Sequence, residues 1–326
     1  MMHSPKLLVA LAVLGALTAA VLIAPRVTVD GRTLLDWEAF RGSVKGVKLM
    51  LALGSNVNAP DRTGATALSY ASAWGHADCL RALVAAGANA NVADHDGYTS
   101  LTEGAANPLI LGDDCIKPLI AAHADVNAAD KQHGYTALMF EATWGHDDCV
   151  RDLIAAGANV NAKNADGWTA LTSAAARGKA DCVKDLIGAG ADVDTRDSAH
   201  GNTPLIYAST YGNLNCIEDL IAGGARVNEA NNVGQTSLMR VIMSGDPHCL
   251  EALLAAGAAI NATEAKHGRT ALMWAAMFGK TDCVRVLIAH HAALNAKDQL
   301  GHTALVYAAL KKHDDIASML RAAGGR

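Results

Sequence analysis

Residues 134–162 read GYTALMFEATWGHDDCVRDLIAAGANVNA. Thr136 stands before a short apolar stretch, and a threonine hydroxyl accepts a backbone N–H at a helix start. It therefore caps a first helix of about two turns, which stops near Gly145. Cys149, Leu153 and Ile154 then fall at helical spacing on one face of a second helix. Gly157 ends that helix, because glycine enters the left-handed conformation without a side-chain penalty. The closing Asn-Val-Asn-Ala leads into a turn built by Asp or Asn plus Gly.

The same order recurs along the chain. Gly-x-Thr appears at Gly64, Gly97, Gly134, Gly167, Gly201, Gly234, Gly268 and Gly301. The period of about 33–34 residues is that of a helix-turn-helix unit. Such a unit buries its apolar face only against its neighbours, so the copies must stack. The reading is an all-α repeat solenoid with β-hairpin loops, about eight full repeats long. Residues 30–60 keep Thr33, Leu35, Gly42 and Gly54 in register and read as a degenerate N-terminal cap. Residues 298–326 read as the last unit, with Lys311, Lys312 and Asp314 on its outer stretch. A second period is superimposed: His133, His200 and His267 stand 67 residues apart, each after one extra hairpin residue. Duplication of a two-repeat block accounts for it.

From residue 30 to the C-terminus the pattern resembles the ankyrin repeat family. The family's Thr-Pro-Leu-His signature is partly kept. Its Pro survives at Pro204, and its His is replaced by Ser69, Thr102, Met139, Thr172, Ile206, Met239, Met273 and Val306. The resemblance implies a module that binds a protein or peptide through its concave groove and hairpin tips.

Composition narrows the function further. The net charge is −5, with acids and bases intermixed, which argues against a nucleic-acid partner because that needs a basic face. Residues 1–29 differ from the rest. Lys6 precedes the uncharged run Leu7–Ala24, and eighteen helical residues span about 27 Å, just enough for a bilayer core. The expectation is a single N-terminal membrane anchor with the repeats outside the cytosol. The alternative is a signal peptide cleaved after Thr18-Ala19-Ala20, releasing a periplasmic or secreted chain. A monomer is expected.

Chemistry-bearing motifs are absent. Cys79, Cys115, Cys149, Cys182, Cys216, Cys249 and Cys283 hold the same repeat position, early in each second helix. The resemblance implies that equivalent positions of neighbouring repeats stand farther apart than the roughly 7 Å a disulfide tolerates. Buried, unpaired thiols are expected. His76-x-x-Cys79 and His146-x-x-Cys149 are repeat positions, not converging metal ligands. No Ser-His-Asp set or phosphate loop is present. The chain reads as a non-enzyme with no catalytic residues, no metal and no cofactor.

The aromatics point to the partner site. Positions four and eight residues after each Thr share one face of the first helix. Tyr70 and Trp74, Phe140 and Trp144, Tyr207 and Tyr211, and Trp274 and Phe278 fill them in alternate repeats. Trp37 and Tyr307 fill the first position at the ends. Tyr98, Tyr135 and Trp168 sit in hairpin tips. Thirteen of the fourteen aromatics occupy these positions; Phe40 does not. Intervening repeats present Glu103, Asn107, Ser173, Arg177, Arg240 and Ser244. The expected partner-contact set is Tyr70, Trp74, Tyr98, Tyr135, Phe140, Trp144, Trp168, Arg177, Tyr207, Tyr211, Trp274 and Phe278. The fourth position is also open to packing against the next repeat, and the eighth is expected to be the more exposed. Two other readings stay open: a small-ligand or glycan binder using the groove aromatics, and a structural spacer. Repeat 2 breaks the pattern, with an insertion at Asn107–Gly112 and Pro118 inside its second helix.

Overall fold

The computed structural model describes residues 28–29, 31–108 and 113–326. The apolar run Leu7–Ala24 and the inserted residues 109–112 lie outside them. Among the described residues no helix is long and apolar enough to cross a membrane. The chain forms two compact units, one ending at Glu141 and taking in Arg151–Ala158, the other made of Ala142–Val150 and Asn159–Arg326.

In the first unit, strands β1 (Thr28–Val29) and β2 (Arg32–Thr33) pair antiparallel. They lead into α1 (Leu34–Phe40), α2 (Val44–Ala52), α3 (Ala67–Ala73), α4 (Ala77–Ala85), α5 (Ser100–Ala106) and α6 (Asp113–Ala121). Helices α7 (Ala137–Trp144) and α8 (Asp147–Ala155) are divided between the units. The second unit continues with α9 (Ala170–Arg177), α10 (Ala180–Gly188), α11 (Pro204–Tyr211), α12 (Leu214–Ala222), α13 (Ser237–Ser244) and α14 (Pro247–Ala255). It ends with α15 (Ala271–Phe278), α16 (Thr281–Ala289), α17 (Ala304–Leu310) and α18 (Asp314–Ala322). Odd-numbered helices are the first of each pair and even-numbered ones the second. The stretch read as a degenerate cap holds a complete helix pair, α1 and α2.

Most pairs start as their sequence dictates, Thr236 standing at its N-cap without a side-chain bond. Thr66, Thr99, Thr169, Thr203, Thr270 and Thr303 accept the backbone N–H three residues on. Most first helices stop at left-handed glycines such as Gly178, at φ 70°, while α5 stops at the extended Asn107 and α17 before left-handed Lys312. The second helices lack a side-chain cap of their own at His76 and Asn213. Those side chains reach back to the preceding repeat instead. His76 Nε2 lies 2.9 Å from the Phe40 carbonyl oxygen, and Asn213 Nδ2 donates to the Ala175 carbonyl at 2.9 Å. Each satisfies a carbonyl that a helix end leaves open.

Within each unit, first helices pack on first helices and second on second: α1, α3 and α5 with α2, α4 and α6 in one, α9 to α17 with α10 to α18 in the other. Fully buried leucines fill the layer between them, among them Leu68, Leu80 and Leu83 in the first unit and Leu171, Leu186 and Leu205 in the second. Helices α3 and α5 approach closely because Gly104 faces Ser72; a Cβ at Gly104 would lie 2.4 Å from Ser72 Oγ. All seven cysteines are buried. Burial pushes the thiols of Cys182, Cys216 and Cys249 up to about 12 and that of Cys283 to about 11. Pro118 is accommodated in α6, whose turn continues past it through the bond from Ala122 N–H to the Pro118 carbonyl.

Two ladders stitch the repeats. The second Asn of the closing tract holds the next repeat: Asn228 accepts the Ala259 N–H at 2.7 Å and donates to the Gly257 carbonyl at 3.1 Å. Asn58, Asn91, Asn161 and Asn295 do the same. Backbone bonds link successive loop tips, such as Asn232 N–H to the His200 carbonyl and Gln299 N–H to the His267 carbonyl. The loops themselves are tight turns. Among the described residues their only extended pairing is the isolated bridges Ala129–Thr136 and Ala230–Thr236. Asn228→Ala removes both bonds at an exposed site and is expected to cost about 1 kcal/mol, read as a lower urea midpoint with unchanged circular dichroism.

Asp36 completes the capping box of α1, accepting the Thr33 N–H at 2.6 Å while buried to 1% exposure. Burial pushes its carboxyl up to about 6, against the lowering effect of Thr33. A carboxyl raised on folding binds its proton more tightly in the native state. Its contribution is therefore fully present below the unfolded value near 3.9 and is lost as pH rises through about 6. Asp36→Asn is expected to raise stability at pH 7 by on the order of 1 kcal/mol and to change little at pH 4. Urea unfolding of both chains at the two pH values checks this, and an equal shift at both would contradict it.

Candidate interaction face

The residues four and eight positions after each Thr come together on the first helices. They divide into packed and open side chains.

In the first unit, Tyr70 is half-buried. Its hydroxyl donates to Asp61 Oδ2 at 2.7 Å and accepts from Arg32 Nε at 2.8 Å. The Arg32 guanidinium lies over the Tyr70 ring at 4.9 Å and the Trp37 ring at 5.6 Å. Burial and the Asp61 carboxylate push Tyr70 up to about 12. Burial alone would raise Asp61, but the Tyr70 hydroxyl and the Thr63 and Ala65 groups outweigh it and hold Asp61 below the usual range. Phe40, the aromatic outside the sequence pattern, is the hub of this cluster, in edge contact with Trp37, Tyr70 and Trp74 at 5.7, 6.4 and 4.9 Å. Trp74 remains 54% exposed. Tyr98 is half-buried, and Tyr135 stacks on Phe140 at 5.1 Å.

In the second unit, Trp168 packs on Tyr207 at 4.6 Å, and the Tyr207 hydroxyl donates to Asp197 Oδ2 at 3.0 Å. Arg240 is half-buried and donates to Thr210 Oγ1 at 3.2 Å. Trp274 is buried at 9% exposure, with its ring edge-on to Phe278 at 5.8 Å. Tyr307 is buried, bonded to Asp298 and covered by Arg269 at 5.2 Å. Ser173 is buried and Arg177 exposed. Ser244 turns inward to the Val241 carbonyl. The open aromatics are Tyr211, 61% exposed, and Phe278, 42% exposed. Trp144 holds the equivalent position but is half-buried, a departure from the expectation of exposure at the eighth position. The fourth position resolves toward packing. The tyrosines Tyr70, Tyr207 and Tyr307 are each pinned by an acid of their own turn and covered by a residue of the preceding hairpin tip, Arg32, Trp168 and Arg269, which lies outside any local sequence window.

Sequence reasoning also missed the hairpin-tip residues Val233 and Leu300, 45% and 68% exposed at one repeat position. Their signal is an apolar residue inside otherwise polar turns, Asn-Asn-Val-Gly and Asp-Gln-Leu-Gly. His133 and His200 are exposed and His267 half-buried. Their backbone N–H groups are accepted by Asp130, Asp197 and Glu264, buried carboxylates that shape the extra-residue turns. Among the described residues no group of three or more His, Cys, Asp or Glu is arranged to hold a metal ion.

Stacked helix pairs with threonine caps, linked turns and an open first-helix face define a repeat solenoid of the kind that generally serves as a protein interaction module and typically carries no enzymatic activity. The model of ankyrin repeats in three copies matches residues 9–94, 35–130, 104–197, 174–264 and 238–325, and the chain belongs to the ankyrin repeat family. Among solved structures it is similar to the crystal structure of the human ASB11 ankyrin repeat domain. The identity is 27% and the TM-score 0.60, over 69% of this chain and 98% of that one. No curated protein matches.

Proposed function

We propose that this chain is an interaction module, exported or held at a membrane by Leu7–Ala24, that recognises an extended segment of a protein partner on its first-helix faces. The observation that carries the reading is the recurrence of large exposed aromatics at one repeat position: Trp74 in the first unit, Tyr211 and Phe278 in the second. Single exposed apolar residues are ordinary on a protein surface, but their recurrence at one repeat position is not what chance scatter gives. Tyr and Trp are the types that carry interface energy. Tyr211 and Phe278 stand two repeats apart, a spacing that suits an extended partner more than a small ligand in one pocket. Val233 and Leu300 add apolar contacts at the tips.

The test is selection of short random peptides displayed on phage against the full chain. Selected sequences should compete with one another and lose binding to Tyr211→Ala; peptides indifferent to every exposed aromatic would overturn the assignment. Topology is tested separately. A C-terminal reporter that is active only outside the cytosol should be active, and a reporter active only inside should be silent. The reverse result would remove export from the reading.

A further inference from the structure

The fold already shows how it holds a cation between neighbouring repeats. Arg32, at the tip before Thr33, reaches the fourth position of the next repeat, where its Nε bonds the Tyr70 hydroxyl, its guanidinium covers the ring, and Asp61 Oδ2 lies 4.0 Å away. Arg269, before Thr270, repeats the arrangement on Tyr307 with Asp298 Oδ2 at 3.9 Å. In both cases a tip arginine, an aromatic ring and a carboxylate converge.

The step between those of Thr66 and Thr99 has the acceptor groups without the cation. The tip residue is Ala65, whose methyl cannot reach across. The fourth position of the next repeat is Glu103, half-buried, whose carboxylate makes no hydrogen bond or ion pair among the described residues. Burial and the carboxylates of Asp94 and Asp96 push Glu103 above its ordinary value, the mark of a negative site with no counter-charge. Beside it stands the exposed indole of Trp74, braced by Phe40 at 4.9 Å. Trp74, Glu103, Ala73, Ala106 and Asn107 line a cavity of about 300 Å³. The Asn107 amide is spent on the Ala73 carbonyl at 2.8 Å, so the charge of the cavity is that of Glu103.

We propose that this cavity is the subsite for a lysine or arginine side chain of the bound polypeptide, with its charge on Glu103 and its stem or guanidinium plane on the Trp74 ring. This deepens the interaction reading above and rests on it. A cation on an indole face gains from the ring quadrupole, most of all where water is partly excluded. Pairing a half-buried carboxylate removes the cost of leaving it without a partner. An aliphatic side chain would fill the space but leave Glu103 uncompensated, so the site discriminates by charge.

The peptides selected on the full chain provide the probe. At least one position is expected to be basic, and replacing it by norleucine should weaken binding about tenfold. That difference should shrink below about twofold against Glu103→Gln, which keeps the shape and removes the charge. Ala65→Arg supplies the cation from the tip, as Arg32 and Arg269 do, and should suppress the basic preference in the same way. Both variants should match the parent chain in circular dichroism and unfold at no lower urea concentration, since neither opens a core cavity and each relieves the unpaired carboxylate. Peptides that bind with no basic position, or whose basic preference persists in both variants, would overturn the subsite and leave the interaction module standing. Failure to select any peptide would overturn both.

Discussion

Leu153→Ala is expected to lower the unfolding free energy by about 2–5 kcal/mol. Leu153 is fully buried in α8, at the repeat position that Leu83, Leu119, Leu186, Leu220 and Leu253 also fill at 0% exposure. Removing three methylene-sized groups forfeits their transfer free energy, and the hole persists because neighbouring helices are held by the asparagine and turn ladders and cannot collapse inward. In a repeat array stability is close to a sum of unit and interface terms, so one damaged layer also breaks cooperativity. Urea unfolding should show an earlier midpoint or a second transition. A loss below about 1 kcal/mol would mean the layer is looser than its burial indicates.

Tyr211→Ala is expected to do the opposite: little to stability, much to binding. Tyr211 is 61% exposed at the end of α11, so its removal leaves no cavity. Hot-spot aromatics typically cost about 2 kcal/mol or more in affinity on truncation, roughly thirtyfold. Phe278→Ala should follow with a smaller loss, since Phe278 is 42% exposed and keeps edge contact with Trp274. Tyr207→Ala is the contrast. It removes the bond to Asp197 and the packing on Trp168, and so should cost stability before it costs affinity.

These contrasts separate what the sequence could tell from what it could not. The repeat order was legible because each signal is local. A threonine cap, a glycine stop and an apolar face lie within one unit, and most first helices begin after the threonine and end at the glycine those signals mark, with α5 and α17 ending without one. Residues 30–60 looked degenerate because few consensus positions survive, yet Thr33 caps the first helix, Leu35 is buried in it and Gly42 turns left-handed after it, as in the complete repeats. The face that carries the aromatics was also legible, since position within the repeat fixes direction. Which of them stay open was not. Arg32 and Tyr70 are 38 residues apart, and the packing of Tyr70 and Tyr207 depends on what the preceding tip offers, Arg32 over one ring and Trp168 against the other. Trp144 and Tyr211 share one position, yet Trp144 is half-buried and Tyr211 is 61% exposed.

Whether partners sit on the first-helix face can be read from chains that carry the photoreactive amino acid benzoylphenylalanine at position 211 or at position 218, each irradiated with a selected peptide bound. Glu218 is exposed on α12, the second helix of the same repeat. Cross-linking is expected from position 211, abolished by excess unlabelled peptide, and none from position 218. Cross-linking from 218 with none from 211 would contradict binding on that face.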